Sequence, residues 1–272
     1  MSSSDSPFKV QAKPFQKRIK VPTSKSYANR ALILGAMKGN GFTLSEIPQS
    51  SDVQTMIECL KKIGLNITYE NDRVTFLNSF PQCEIPQRES IKLHTKDGGT
   101  TNRFLLPLLA RGQNHYELVP SGKMGERPME ELVDALKFLG AHLTLNENGT
   151  WITVQGPLNS QIDKVEINCR KSTQFATGLL LALSDTKIEL ETLELENSKL
   201  YFEMTKSLVD QVKKSNSLNT PVDFSSLGYP LALALTSGEV VVENCHDLDE
   251  YQADSVFIKI IKDNGGMIFW EN

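Results

Sequence analysis

Apolar residues along this chain fall in short blocks whose spacing switches between a helical period and strict alternation. The first block, Ala31-Leu32-Ile33-Leu34-Gly35-Ala36-Met37, follows the polar turn Val21-Pro22-Thr23-Ser24-Lys25-Ser26-Tyr27-Ala28-Asn29-Arg30. It predicts a buried helix beginning near Asn29, with Ser24 or Ser26 as N-cap and Arg30 able to reach back one turn. After Gly39-Asn40-Gly41, residues 42–47 read as a half-buried strand. Ser51-Asp52 then looks like an N-cap pair for an amphipathic helix over 53–62, with Met56, Ile57, Leu60 and Ile63 on one face and Gly64 closing it. Strands over 66–69 and 73–77 flank the turn Glu70-Asn71-Asp72.

The same order then returns. Gly98-Gly99-Thr100-Thr101 opens a helix over 102–110, followed by a strand (115–119), a helix (130–139) ended by Gly140, and strands over 141–145 and 150–155 around a turn at 146–149. A third copy starts at Ser172-Thr173-Gln174, with a helix (175–183), a strand (187–193) and a helix (200–213) but no strand pair to close it. A fourth starts at Ser225-Ser226, with a helix (227–235), a strand (239–243), a helix (254–263) and a strand (267–270). Asn29, Asn102 and Phe175 stand 73 residues apart in turn. Each unit has one apolar face and must stack on its neighbours to bury it. The expectation is an α/β (α+β) chain of repeated units. Residues 21–214 form one domain of three units, 213–220 a linker, and 1–20 with 221–272 part of a second domain holding one unit.

Composition narrows the function. With 39% hydrophobic and 23% charged residues over 272, the chain reads as soluble and globular. A formal net charge of −4 gives no global basic field for nucleic acid. The four cysteines form no CxxC pair and no metal-ligand spacing with the four histidines, which we read as structural or surface residues. No metal or cofactor is expected. The polar N-terminus and the lack of an 18-residue apolar run point to a cytoplasmic protein without a membrane span.

Every unit's first helix is introduced by small hydroxyl or glycine residues. Gathered around a pseudo-axis, those N-termini would turn several partial positive charges to one mouth suited to a multiply anionic ligand. The residues there would be Lys25, Ser26 and Arg30; Asp97, Gly99, Thr100 and Arg103; Ser172, Thr173 and Gln174; and the loop Gly122-Lys123-Met124-Gly125-Glu126-Arg127-Pro128.

With these motifs in this order, the chain resembles the 5-enolpyruvylshikimate-3-phosphate (EPSP) synthase family. SKSYANR, GGTTNR, KMGERPMEELVDALKFLGA and STQF carry the resemblance. Ser198-Lys199-Leu200-Tyr201, Asp223-Phe224-Ser225-Ser226 and Gln252-Ala253-Asp254 support it. The resemblance implies two inside-out α/β barrels of βαβαββ units, the second incomplete here. It also implies enolpyruvyl transfer from phosphoenolpyruvate to a hydroxyl of shikimate 3-phosphate, with release of phosphate, in aromatic amino acid biosynthesis. Lys25, Ser26, Arg30, Ser172, Thr173, Gln174, Ser198 and Tyr201 would hold shikimate 3-phosphate. Lys25, Asp97, Gly99, Thr100, Arg103, Lys123, Arg127 and Gln174 would face phosphoenolpyruvate.

The pattern departs from the family in places. Asp97 stands where the family commonly has asparagine, and Lys123 where it has an arginine that binds phosphoenolpyruvate, a point charge in place of a bidentate fork. The general base and further cationic ligands belong to units that lie beyond this sequence, so the chain alone is expected to be inactive. A non-catalytic homologue that binds phosphorylated acids, or an interaction module, is the alternative. The sister transferase acting on a UDP-sugar fits SKSYANR less well. A partner chain or a second copy would cover the fourth unit.

Overall fold

The computed structural model describes residues 13–146, 151–196 and 198–270, so the turn expected at 146–149 and the start of the strand at 150 fall largely outside the described residues. The chain enters on β1 (Phe15–Ile19) and passes into α1 (Lys25–Lys38), β2 (Phe42–Ser45), α2 (Ser51–Lys62), β3 (Ile67–Glu70) and β4 (Arg73–Phe76). The second unit is β5 (Ile91–Lys96), α3 (Gly99–Leu109), β6 (Tyr116–Pro120), a 3-10 turn at Gly122–Glu126, α4 (Glu130–Phe138), β7 (His142–Leu145) and β8 (Ile152–Gln155). The third is β9 (Lys164–Asn168), α5 (Thr173–Leu183), β10 (Glu189–Leu193) and α6 (Lys199–Lys214). Then come β11 (Ser217–Asn219), α7 (Phe224–Ser237), β12 (Gly238–Val242), a 3-10 turn at Ala253–Ser255 and α8 (Val256–Asp263).

Two four-stranded sheets share one plan. In β5-β6-β8-β7 the first pair is parallel and the others antiparallel, and β11-β2-β4-β3 repeats that order. The leading strand of the first unit is therefore β11, supplied from beyond the third unit. The stretch expected to be a linker, 213–220, is instead the end of α6 plus this strand, tied by Thr220 N–H donating to Ser45 O at 3.0 Å. The third unit has only the parallel pair β9–β10, and no strand pair follows it among the described residues. β1 pairs in parallel with β12, giving the fourth unit its own leading strand. The sheets are separate and open, and none closes into a barrel among the described residues.

Several boundaries differ from those expected. The leading strands β5 and β9 have clear period-two burial, Leu93 with Thr95 and Val165 with Ile167, but they precede the helices on which the repeat was aligned. α1 begins four residues early at Lys25, capped by Ser24, and α2 is capped by Ser50 instead of the Ser51-Asp52 pair. α7 starts at Phe224 with Asp223 as its cap. Residues 267–270, expected as a strand, enter no ladder among the described residues.

Helices α1, α3 and α5 lie at the centre, buried over most of their length, with sheets outside them. Each fully buried Leu or Phe there contributes about 1.5–3 kcal/mol of transfer free energy. α3 and α5 approach closely through two residues. Pro107 has no N–H for the carbonyl of Arg103 one turn back, and Gly178 of α5 lies against that carbonyl. A Cβ at 178 would stand 2.3 Å from the Arg103 oxygen and 3.2 Å from Pro107 Cγ. A second, smaller cluster (Val21, Val222, Phe224, Leu227 and Ile258) sits under the fourth unit. The two strands that run between the clusters are bonded to each other. Ser24 N–H donates to Pro221 O at 2.7 Å, and Asp223 N–H to Pro22 O at 3.0 Å.

Overpacking this crossing has a definite expected cost. Gly178→Ala should lower the free energy of unfolding in urea by about 2 kcal/mol. A loss under about 0.5 kcal/mol, within the range of an indifferent surface change, would show that α3 and α5 do not meet there.

Candidate functional site

The N-termini of α1, α3 and α5 are brought together by side chains that cross between them. Ser24 Oγ accepts from Tyr27 N–H, and Ser172 Oγ accepts from Gln174 N–H, both at 3.3 Å. α3 starts at Gly98 without a side-chain cap, leaving its first N–H groups open. Asn29 of α1 donates from Nδ2 to Thr100 Oγ1 of α3 at 3.2 Å. Arg103 joins α3 to α5, donating from Nη1 to Ser172 Oγ (3.1 Å) and Gln174 Oε1 (2.9 Å). Its Nη2 donates to Pro128 O at 3.0 Å, which fixes the end of the 122–128 loop. The guanidinium lies 4.9 Å from the Phe175 ring centroid.

Gly99 is the point of convergence. A Cβ there would lie 3.1 Å from Arg127 Nη1, 3.2 Å from Gln174 Oε1 and 3.9 Å from Arg103 Nη1. The missing side chain leaves the floor of the mouth open, with two guanidinium groups and an amide around it. Burial, and next the nearby Arg127 cation, push Arg103 down to about 10, so it remains charged at neutral pH. Two like charges held this close, beside open helix N–H groups, favour an anion between them.

Arg30 is also buried and already engaged. Its Nη1 donates to Ser26 O at 2.7 Å and its Nε to Thr205 Oγ1 at 2.9 Å. It lies 5.3 Å from the Phe104 ring and 5.6 Å from the Tyr201 ring. Burial pushes it down to about 10 as well. Burial, then the Asp254 carboxylate, raises Tyr201, which stays a neutral phenol. Arg30 and Arg103 therefore shape the mouth from beneath, and the exposed cations Lys25, Lys123 and Arg127 are left at its rim.

The expected residues divide accordingly. Lys25, Ser26, Arg30, Gly99, Thr100, Arg103, Arg127, Ser172, Thr173 and Gln174 belong to the three joined helix starts and the loop held by Pro128. Tyr201 meets them through Arg30. Asp97 and Lys123 are exposed on adjacent loops, tied by Ser121 N–H donating to Lys96 O at 3.0 Å, and neither has an ion pair among the described residues. Ser198 is exposed at the start of α6 with φ 58°, and its side chain makes no capping bond.

One residue escaped the motif reading. Asp52 accepts an ion pair from Lys25 Nζ at 3.0 Å. Its Oδ1 would lie 3.3 Å from a Cβ at Gly98, so this carboxylate sits at the mouth of α3. SSDV suggested only a cap, and the contact joins residues 27 positions apart. From the fourth unit, the carboxylates that act on Tyr201 are Asp254, Asp223 and Asp249. Each accepts a hydrogen bond: Asp254 from Ser225 Oγ at the start of α7, Asp223 from Ser225 N–H, and Asp249 from Tyr251 N–H and Gln252 Nε2. Two surface hollows, one around His115 and His142 and one around Glu203 and Tyr251, lie away from the Gly99 mouth.

Comparison with known proteins gives a consistent result. Residues 10–215 match the family model for EPSP synthase (3-phosphoshikimate 1-carboxyvinyltransferase). Over 285 residues the chain is 30% identical to the 3-phosphoshikimate 1-carboxyvinyltransferase of Escherichia coli (strain SMS-3-5), covering 93% of this chain and 64% of that protein. It is 27% identical to the Nitrosopumilus maritimus protein of the same name, covering 94% and 64%, and 31% identical to the Arabidopsis thaliana chloroplastic one, covering 93% and 54%. The solved EPSP synthase of Acinetobacter baumannii superposes with a TM-score of 0.76 at 20% identity, over 94% of this chain and 60% of that one, and shows the shared fold. The chain thus spans less than two thirds of the length of the relatives it matches.

The geometry separates residues that hold the mouth from residues that reach into it. Arg103→Lys keeps the charge but loses the fork to Ser172, Gln174 and Pro128, and should lower Tm by roughly 5 °C. Lys25→Ala, on an exposed side chain, should leave Tm within about 1 °C. Equal shifts in a melting experiment would remove the distinction.

Proposed function

The chain belongs to the EPSP synthase family, and we propose that it forms the shikimate 3-phosphate-binding part of a 3-phosphoshikimate 1-carboxyvinyltransferase. The observation that carries this reading is the convergence of Arg127, Arg103 and Gln174 on Gly99, between the starts of α1, α3 and α5. Both substrates of such an enzyme are anions. Cations and helix N-termini hold them together against their mutual repulsion, which supplies proximity and electrostatic stabilisation.

In this reading Lys25, Ser26, Ser172, Thr173, Gln174 and Ser198 contact the phosphorylated ring acid, beside Tyr201. Lys25, Gly99, Thr100, Lys123, Arg127 and Gln174 face phosphoenolpyruvate, with Asp97 at the edge. Arg30 and Arg103 set the positions of the others. For the ligand to reach Lys25 it must compete with Asp52. The reaction adds the shikimate hydroxyl to the enol carbon while the methylene takes a proton. The tetrahedral adduct then loses phosphate and returns that proton. The first domain in this scheme is 21–214 together with the strand β11 (217–219) that completes its first sheet, with 1–20 and 221–272 contributing to a second. Four unpaired cysteines fit a reducing compartment such as the cytoplasm.

Binding without turnover is the behaviour we assign to the chain by itself. The step needs a general base at the hydroxyl, and the carboxylates that act on Tyr201 already accept hydrogen bonds, Asp254 from Ser225 Oγ of α7, Asp223 from Ser225 N–H and Asp249 from Tyr251 N–H. Lys25 and Arg127 can position a substrate anion and offset its charge.

A ligand at about 100 times its Kd adds roughly 2.7 kcal/mol, several degrees of Tm for a chain of this size. Shikimate 3-phosphate at millimolar concentration should therefore raise Tm, and Lys25→Ala should remove most of the rise. No shift in the unaltered chain would refute the binding claim. With both substrates present, phosphate release should stay at background; steady turnover by the pure chain would overturn the assignment of binding without catalysis.

A further inference from the structure

β10 ends the third sheet at an edge that the first two units fill. In those units the second strand pairs on its far side with an antiparallel strand, β4 beside β2 and β8 beside β6. Among the described residues β10 pairs only with β9, and the chain passes on into α6 and gives its next strand, β11, to the first sheet. The gap therefore lies inside the chain, with elements present on both sides of it. Glu189 N–H donates to Asp163 O at 2.7 Å, and Leu193 O accepts from Cys169 N–H at 2.9 Å, so these residues turn their backbone groups to β9. Leu190 and Thr192 alternate with that set and turn theirs the other way. A row of N–H and C=O groups open along an edge is a template for a further strand.

Side chains set what that strand can be. Leu190 is half-buried against the core, whereas Glu189 and Glu191 stand on the outer face with Lys164 and Glu166 of β9. That face carries three carboxylates against one ammonium, and Lys164 is already paired with Glu191. A second copy could add its own β10 antiparallel, in the register that bonds Leu190 to Thr192 and the reverse. Glu191 would then lie opposite Glu191, like charge facing like, which destabilises the pair. The filled sheets show the pattern of a fitting occupant. β4 and β8 are antiparallel to their neighbours, with Val74, Phe76, Ile152 and Val154 on the core side and Thr75 and Thr153 on the other. We infer that the open edge of β10 binds an extended segment of another protein, antiparallel, with apolar residues opposite Leu190 and Thr192 and basic residues opposite Glu189 and Glu191. Backbone bonds to Leu190 and Thr192 supply the attachment. Charge selects the partner, since the glutamates that repel a second β10 attract lysine or arginine. This inference rests on strand pairing and charge in the third unit, and holds whatever ligand the mouth takes.

The test mixes the full chain with a synthetic peptide in which valine alternates with lysine. With peptide at about ten times its Kd, backbone hydrogen exchange should slow about tenfold at Leu190 and Thr192. Glu191 and Leu193, whose N–H groups already face β9, should change little. A peptide of valine alternating with glutamate should bind about tenfold more weakly, because its charges meet their like. Glu189→Gln should weaken binding of the lysine peptide about threefold and leave the Tm of the chain within about 1 °C, since the side chain is exposed. Unchanged exchange at Leu190 and Thr192 with millimolar lysine peptide overturns the proposal, and so does equal binding of the glutamate peptide. A homodimer of the chain alone in which those two amides are already protected overturns it as well, by making a second copy the occupant.

Discussion

Arg103 is the contact on which the mouth depends. A guanidinium buried at 6% exposure must find partners for its N–H groups or lose several kcal/mol in desolvation. It finds them in Ser172, Gln174 and Pro128, which belong to another helix start and to the loop that presents Arg127. Its own backbone carbonyl, left without an N–H by Pro107, meets Gly178 of α5. One residue thus fixes the spacing of two helices and the place of a loop. Its Nε stays buried without a partner, a cost the surrounding contacts offset.

Charge is partitioned by depth. The two deep arginines are engaged by protein oxygens and aromatic faces, which fix the place of their positive field. Among the described residues the exposed rim cations Lys123 and Arg127 make no ion pair, whereas Lys25 is held by Asp52. An anionic ligand would meet a fixed field from below and exposed charges from the side. The fourth unit faces this site with carboxylates, and the crossing strands near Ser24 and Asp223 bind the two clusters together at the site's edge.

The 73-residue period was readable because each unit repeats a helix that must be buried on all sides, leaving unbroken apolar runs such as Ala31–Met37 and 104–110. Most helices and hairpin strands followed from it, and so did the family, since SKSYANR and GGTTNR sit at two of the helix starts. The strands β5 and β9 also alternate plainly in sequence, yet they went unassigned because the repeat was anchored on the helices behind them. β11 is different. Ser217-Leu218-Asn219 has no pattern of its own, and becomes a strand only because β2 offers an unpaired edge.

The residue types at the mouth were likewise legible, but not their division of labour. Sequence treats Arg30, Arg103 and Arg127 alike. Tertiary structure buries the first two and leaves the third at the surface, because the helices carrying Arg30 and Arg103 are central and the loop carrying Arg127 is peripheral. Asp52 became part of the site only through its contact with Lys25, a relation between two separate helix starts that no local pattern records. By itself, then, the sequence determined the repeated unit and the residue types at its helix starts, since these rest on local spacing and side-chain type. Only the packing of the units decided which charges are spent within the protein, which strand completes the first sheet and which sheet edge is left open, since each depends on what lies across the fold.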